Sequence, residues 1–132
     1  AQGWQLGRNI KLCAISSAEV LAATAQAAKQ RGETHFLIDA QRCEYYHCMW
    51  ELTEDKQTEK TPLSIINASK AAQLKALGPN ARELPHCESI YPSANALASL
   101  ATKQSSYVMG SEIEPIYLRQ TEFTKAPPLR QL

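Results

Sequence analysis

His35-Phe-Leu-Ile-Asp-Ala-Gln-Arg-Cys-Glu-Tyr-Tyr-His-Cys-Met-Trp50 reads as a strand, a tight turn and a returning strand. The apolar run ends in an acid, Asp39. Gln41, Arg42 and Cys43 occupy the turn, and a second acid, Glu44, opens the return. From Glu44 onward the hydrophobic period is two. Tyr46, Cys48, Trp50 and Leu52 therefore share one face, expected to meet the core, with Tyr45, His47, Met49 and Glu51 opposite. Trp50 at this spacing reads as core. Asp39, Arg42 and Glu44 are the side chains that a ligand-handling cleft would use. The competing reading is turn chemistry, in which an Asp carboxylate accepts backbone N–H bonds, and the ordinary exposure of Glu.

Upstream, residues 10–15 form a short strand-like run, and Ser16-Ser-Ala-Glu19 is a capping box. The helix it starts is alanine-rich, suited to close packing on a neighbour, and is expected to run to about Arg31 with Gly32 ending it. Ala1-Gln-Gly-Trp-Gln-Leu-Gly7 reads as the end of a helix, with Gly7 at its cap. With no initiator Met, the chain is expected to continue something that begins before residue 1.

Downstream, residues 53–60 are a charged loop, and residues 63–66 a third strand with Pro62 at its start. A short helix is expected over 69–77, stopped by Gly78-Pro79, followed by a loop over 80–92. Glu83, His86 and Glu88 in that loop have no nucleophile beside them and read as surface. Ser93 is placed to cap a helix through Lys103, with Leu97 and Leu100 facing inward. Residues 113–118 and 126–129 read as extended. Strands followed by helices make the chain α+β, with an antiparallel meander covered on one face by helices.

The chain has 132 residues, 44% hydrophobic and 20% charged, with a net charge of +1. That is enough apolar content for a packed core and too little basic density for autonomous nucleic-acid binding. No apolar run approaches the ~20 residues that a membrane span needs. Cys13, Cys43, Cys48 and Cys87 include no Cys-x-x-Cys pair. His47-Cys48 and His86-Cys87 tempt a metal reading, but adjacent strand residues point to opposite faces, so reduced cytosolic thiols are preferred.

Three segments together resemble the TsaB (YeaZ) family, once labelled glycoprotease-like. They are Ala1 to Gly7, Asp39-Ala-Gln-Arg-Cys-Glu-Tyr-Tyr46, and Pro115-Ile-Tyr-Leu-Arg119. The family pattern at the middle segment has Arg where Gln41 stands, with Arg42 following, and Gly where Cys43 stands. Cys43 is therefore either strained or in a different turn, and both changes weaken an anion-binding role.

The resemblance implies two ribonuclease-H-like lobes of the actin-like ATPase superfamily. Residues 1–33 would close the N-terminal lobe with a helix, strand and helix, and residues 34–132 would form the C-terminal lobe. It implies a non-catalytic, cytoplasmic subunit supporting a TsaD-like transferase that places a threonylcarbamoyl group on adenosine 37 of tRNA, with a TsaE-like ATPase. The tRNA would be met only through the complex, and ATP and metal only in partner proteins.

The remaining readings are a self-associating module, a homodimer formed through an exposed strand at 10–15, and an enzyme lobe of ATP-binding or glycoprotease type. The last finds no His-x-x-x-His pair and no phosphate-cradling Gly-rich loop in this sequence.

Overall fold

A computed structural model describes residues 3, 7, 8, 10–79, 83–103 and 107–118. The segment 126–129, Arg119 and most of the helix end at 1–7 lie outside the described residues. Gly7 itself is helical and does not take the left-handed conformation expected of a cap.

Helix α1 (Ser17–Ala27) begins with the Ser16 half of the expected capping box: Ser16 Oγ accepts from the Glu19 backbone N–H at 3.1 Å. It ends earlier than expected. Lys29 takes the left-handed conformation (φ 66°). Its N–H donates to the Gln26 carbonyl, and that of Gln30 to the Ala25 carbonyl, each at 3.0 Å. This is a Schellman closure with lysine at the glycine position. Gly32, at φ 84°, instead opens the first strand.

β1 (Gly32–Asp39) and β2 (Glu44–Leu52) pair antiparallel from Gly32 opposite Leu52 to Asp39 opposite Tyr45. The charged loop is shorter than expected. The Thr53 N–H donates to the Lys56 carbonyl at 2.9 Å, and Thr53 Oγ1 accepts from the Lys56 N–H at 3.1 Å. β3 (Gln57–Asn67) follows at once, antiparallel to β2. Pro62 sits inside this strand, not at its start, between the register positions of Thr61 and Ser64 where the ladder slips. An edge strand with a bulge accommodates a missing N–H there.

Asn67 Oδ1 accepts from the Lys70 N–H at 2.9 Å and caps α2 (Ala68–Ala71). The helix expected over 69–77 stops at Ala71, and Ala76–Gly78 becomes β4, parallel to β1. Gly78 is required by contact rather than by helix breaking: a Cβ on it would lie 1.7 Å from the Leu37 carbonyl oxygen. The expected loop likewise contains β5 (Cys87–Ser89), parallel to β4. The strand order is β3-β2-β1-β4-β5.

α3 (Ala94–Lys103) lies on α1 and is pinned by the Ser93 N–H donating to Thr24 Oγ1 at 3.1 Å. Ala96 is its buried residue, whereas Leu97, expected to face inward, is 44% exposed and Leu100 is half-buried. A contact built on alanines is close enough that the larger side chains turn outward. The strand expected at 10–15 is reduced to one antiparallel bridge between Leu12 and Val108. Residues 113–118 form no strand.

Both faces of the sheet are covered, not one. Phe36, Cys48, Trp50 and Leu52 pack under Ala18, Leu21, Ala22 and Ala25 of α1. On the reverse, Leu37, Ile66, Ala71, Ala76 and Leu84 form a second cluster. Leu21, Phe36, Leu37 and Leu52 are almost fully buried. Each contributes about 1.5–3 kcal/mol by leaving water. The fold is α+β, a mixed five-stranded sheet with helices. Among the described residues, no helix is long and apolar enough to cross a membrane.

Candidate functional site

The β1–β2 turn opens onto a crevice of about 730 Å³ lined by Asp39, Gln41, Arg42, Cys43, Tyr45, Glu83, Ser89 and Tyr91. Its place in the sheet is informative. β1, β4 and β5 run parallel, and Asp39 and Ser89 are the last residues of β1 and β5. Carboxyl ends of parallel strands are where open sheets hold ligands.

The turn is strained. Gln41, Arg42 and Cys43 have φ of 63°, 55° and 59°. Successive non-glycine residues in this region each cost about 1–2 kcal/mol. The Glu44 N–H donates to the Gln41 carbonyl at 3.1 Å, and the Ala40 N–H to the Glu44 carbonyl at 3.0 Å. Arg42 and Cys43 thereby occupy the paired positive-φ positions that hairpin twist favours and that Asn-Gly ordinarily fills. The Cys43 carbonyl also accepts from the Ala68 N–H at 3.0 Å, tying the turn to α2.

Asp39 Oδ1 accepts from the Gln41 N–H at 2.7 Å, the turn-closing bond that Asp is suited to make. Arg42 is exposed on the same crevice. Glu44 does not line it; this half-buried residue holds the base of the hairpin through its backbone. The three sequence candidates thus divide, with Asp39 and Arg42 together and Glu44 behind them.

Of Glu83, His86 and Glu88, Glu83 lines the crevice. His86 and Glu88 line a separate cavity of about 200 Å³ with Arg31, Glu33 and Lys75. Burial raises the Tyr45 phenol above its ordinary value, and Asp39 and Glu83 push it further the same way, followed by Cys43 and Cys87. Tyr45 is therefore a neutral hydrogen-bonding wall. Ser89 Oγ is buried with no hydrogen-bond partner among the described residues. A hydroxyl in that state offers a directed contact to an entering polar group.

Sequence reading did not find Ser89 or Tyr91: Ser89 lies in a strand of three residues, too short to carry a periodic signal. A second grouping also escaped it: His35 and His47, twelve residues apart, meet across β1 and β2 at 3.0 Å. The cysteines form no disulfide among the described residues, and burial pushes the Cys48 thiol up to about 11. Among the described residues, no three His, Cys, Asp or Glu side chains converge as a metal site would require. The crevice offers two carboxylates, a guanidinium, the Ser89 hydroxyl and two phenols, a set suited to polar recognition.

No family model and no curated protein matches the chain. Solved structures do match. One is a crystal structure of an uncharacterized protein with similarity to peptidase YEAZ from Pseudomonas aeruginosa, with TM-score 0.70 and 21% identity over 89% of this chain and 63% of that one. Another is YeaZ from Pseudomonas aeruginosa, with TM-score 0.67 and 17% identity over 89% of this chain and 64% of that one. The chain therefore spans less than two thirds of either structure. At these identities the likeness is one of fold, and the fold of this chain is that of the YeaZ structures.

Proposed function

We propose that the chain is the C-terminal part of a TsaB-type protein, a non-catalytic cytoplasmic subunit that supports a TsaD-like transferase in threonylcarbamoyl transfer to adenosine 37 of tRNA. The observation that carries this reading is the match to YeaZ structures over 89% of the chain. It coincides with the family-like segment Asp39 to Tyr46 falling on the β1–β2 turn. In this reading a TsaE-like ATPase completes the assembly, tRNA is met through the complex, and ATP and metal belong to the partner proteins. The sheet is that of a ribonuclease-H-like lobe formed by residues 34–132, with residues 1–33 closing the preceding lobe. An antiparallel meander whose first strand continues into two parallel strands fits such a lobe. Asp39 and Arg42 then belong to the cleft side of the hairpin, with Glu44 at its base.

Co-purification with a cognate TsaD-like protein, read out by modification of tRNA in a strain lacking the endogenous subunit, tests the proposal. Association together with restored modification is the expected result; absence of both would sink it. Asp39→Ala separates cleft from turn. Lost association with unchanged melting places Asp39 in the cleft, and lowered melting with association retained leaves it a turn residue.

A second reading, self-association, is favoured by one observation. Leu12 and Val108 form a single bridge beside exposed Ile10, Tyr107 and Met109, an apolar strip along an incomplete strand pair. Size-exclusion chromatography with light scattering should then give a concentration-dependent dimer, and a monomer throughout discards this reading.

A further inference from the structure

In the β1–β2 register His35 lies opposite Met49 and His47 opposite Leu37, so the histidines are diagonal neighbours on one face. His35 Nδ1 and His47 Nε2 are 3.0 Å apart, the ring centroids 5.2 Å apart, and the ring planes inclined by 24°. The centroid distance exceeds the nitrogen distance by nearly two ring radii. Both nitrogens therefore lie on the line joining the rings, which meet edge to edge rather than face to face. This is an N–H···N hydrogen bond, with one imidazole donating and the other accepting on a bare nitrogen.

Such a bond holds one proton between the rings. A proton added at the far nitrogen of half-buried His35 leaves the bond intact and strengthens its donor. A further proton, on His47 Nε2, sets two N–H groups against each other. His47 is only 8% exposed, so water cannot readily take over the lost bond.

The surroundings supply little relief. On this face β1 carries Glu33 and Asp39, and Asp39 is engaged in the turn. β2 carries Glu51, bound by Lys60 of β3 at 2.7 Å. α2 contributes Lys70, a cation acting on His47. Ser64 of β3, the register partner of His47, is neutral. From the chain around β4 and β5 the charged or titratable residues are Lys75, beside Ala76 in register with His35, Glu83 at the crevice, Cys87 packed on the Leu37 cluster, and His86 and Glu88 in the cavity that Glu33 and Lys75 also line. Among the described residues, no carboxylate bonds to either imidazole.

We propose that the His35–His47 pair is an acid-operated latch. It is closed across β1 and β2 by one shared proton and opened when both rings are protonated, freeing α2 from the sheet. The mechanical link is direct. Leu37, opposite His47, packs in the cluster with Ile66 of β3 and Ala71 of α2. A His47 forced outward disturbs the contact that holds the helix. Burial, then His35 and Lys70, also depress the His47 pKa, as a closed latch requires.

The test is hydrogen exchange of the whole chain, with imidazole nitrogen NMR across the same titration. Exchange of the 68–72 amides, corrected for intrinsic rates, should rise about tenfold between roughly pH 7.5 and 5. His35→Gln and His47→Gln each keep a hydrogen-bonding side chain but cannot hold two facing protons, and should reduce that rise to under about twofold. Should His47→Gln fail to fold, His35→Gln, at the more accessible ring, carries the comparison. An undiminished acid response in His35→Gln, or two rings titrating independently near the ordinary histidine value, would overturn the latch.

Discussion

Cys43 and Gly78 show opposite uses of a backbone position. Cys43 holds φ 59° with a side chain that this conformation disfavours. Cys43→Gly is expected to stabilise the chain by about 1 kcal/mol, while Cys43→Ala, which removes the thiol and keeps the Cβ, gives no such gain; thermal melting of the two distinguishes strain from thiol chemistry. At Gly78 the added atom would enter the Leu37 carbonyl. Gly78→Ala should cost about 3 kcal/mol or more, measured by urea unfolding, because backbone must move to admit it. The strain at Cys43 was legible as an alternative, since a family glycine is replaced there. Gly78 was misread as a helix stop because sequence marks a glycine without saying whether it ends an element or admits a neighbour.

Helix α1 has a cap at each end, one well made and one compromised. Ser16→Ala removes the acceptor for the Glu19 N–H and is expected to destabilise by about 1 kcal/mol. Lys29→Gly relieves the left-handed lysine of the Schellman closure and should stabilise by roughly 0.5–1 kcal/mol. A melting series containing both variants checks the opposite signs. The N-terminal cap was visible in advance because a capping box is a local pattern. So was the face of β2 carrying Cys48, Trp50 and Leu52, although Tyr46 on that face is half-buried and His47, expected opposite it, is buried as well. β4 and β5 were not visible: with three residues each, their hydrogen bonds come from partners distant in sequence rather than from their own pattern. The crevice was half legible for the same reason. Asp39 and Arg42 belong to a local turn, while Glu83 and Ser89 arrive through parallel pairing.

For the molecule as a whole, titration defines a window of stability. Native His47 resists protonation, chiefly through burial, so the unfolded chain binds that proton more readily. Its contribution is complete above the unfolded value of 6.5 and is lost as pH falls through the lower folded value. Cys48 moves the other way. Burial raises its thiol from 9.0 to about 11, so its contribution is complete below 9.0 and is lost as pH rises through the folded value. Unfolding midpoints should form a plateau between roughly pH 7 and 8.5 and fall on both sides; His47→Gln should flatten the acid limb alone. An acid limb unchanged in that variant would show that other groups control it.

The position of β1, antiparallel to β2 on one side and parallel to β4 on the other, also carries a kinetic consequence. The hairpin can close over a short turn, on the microsecond scale of such local events. The parallel half must wait for closure of the much longer loop between β1 and β4, which is entropically slower. The crevice wall formed by Glu83 and Ser89 is therefore the late-arriving part of the molecule. A nascent chain that has only its hairpin presents Asp39 and Arg42 to solvent with nothing opposite them, so any ligand of this site recognises a completed fold and not a folding intermediate.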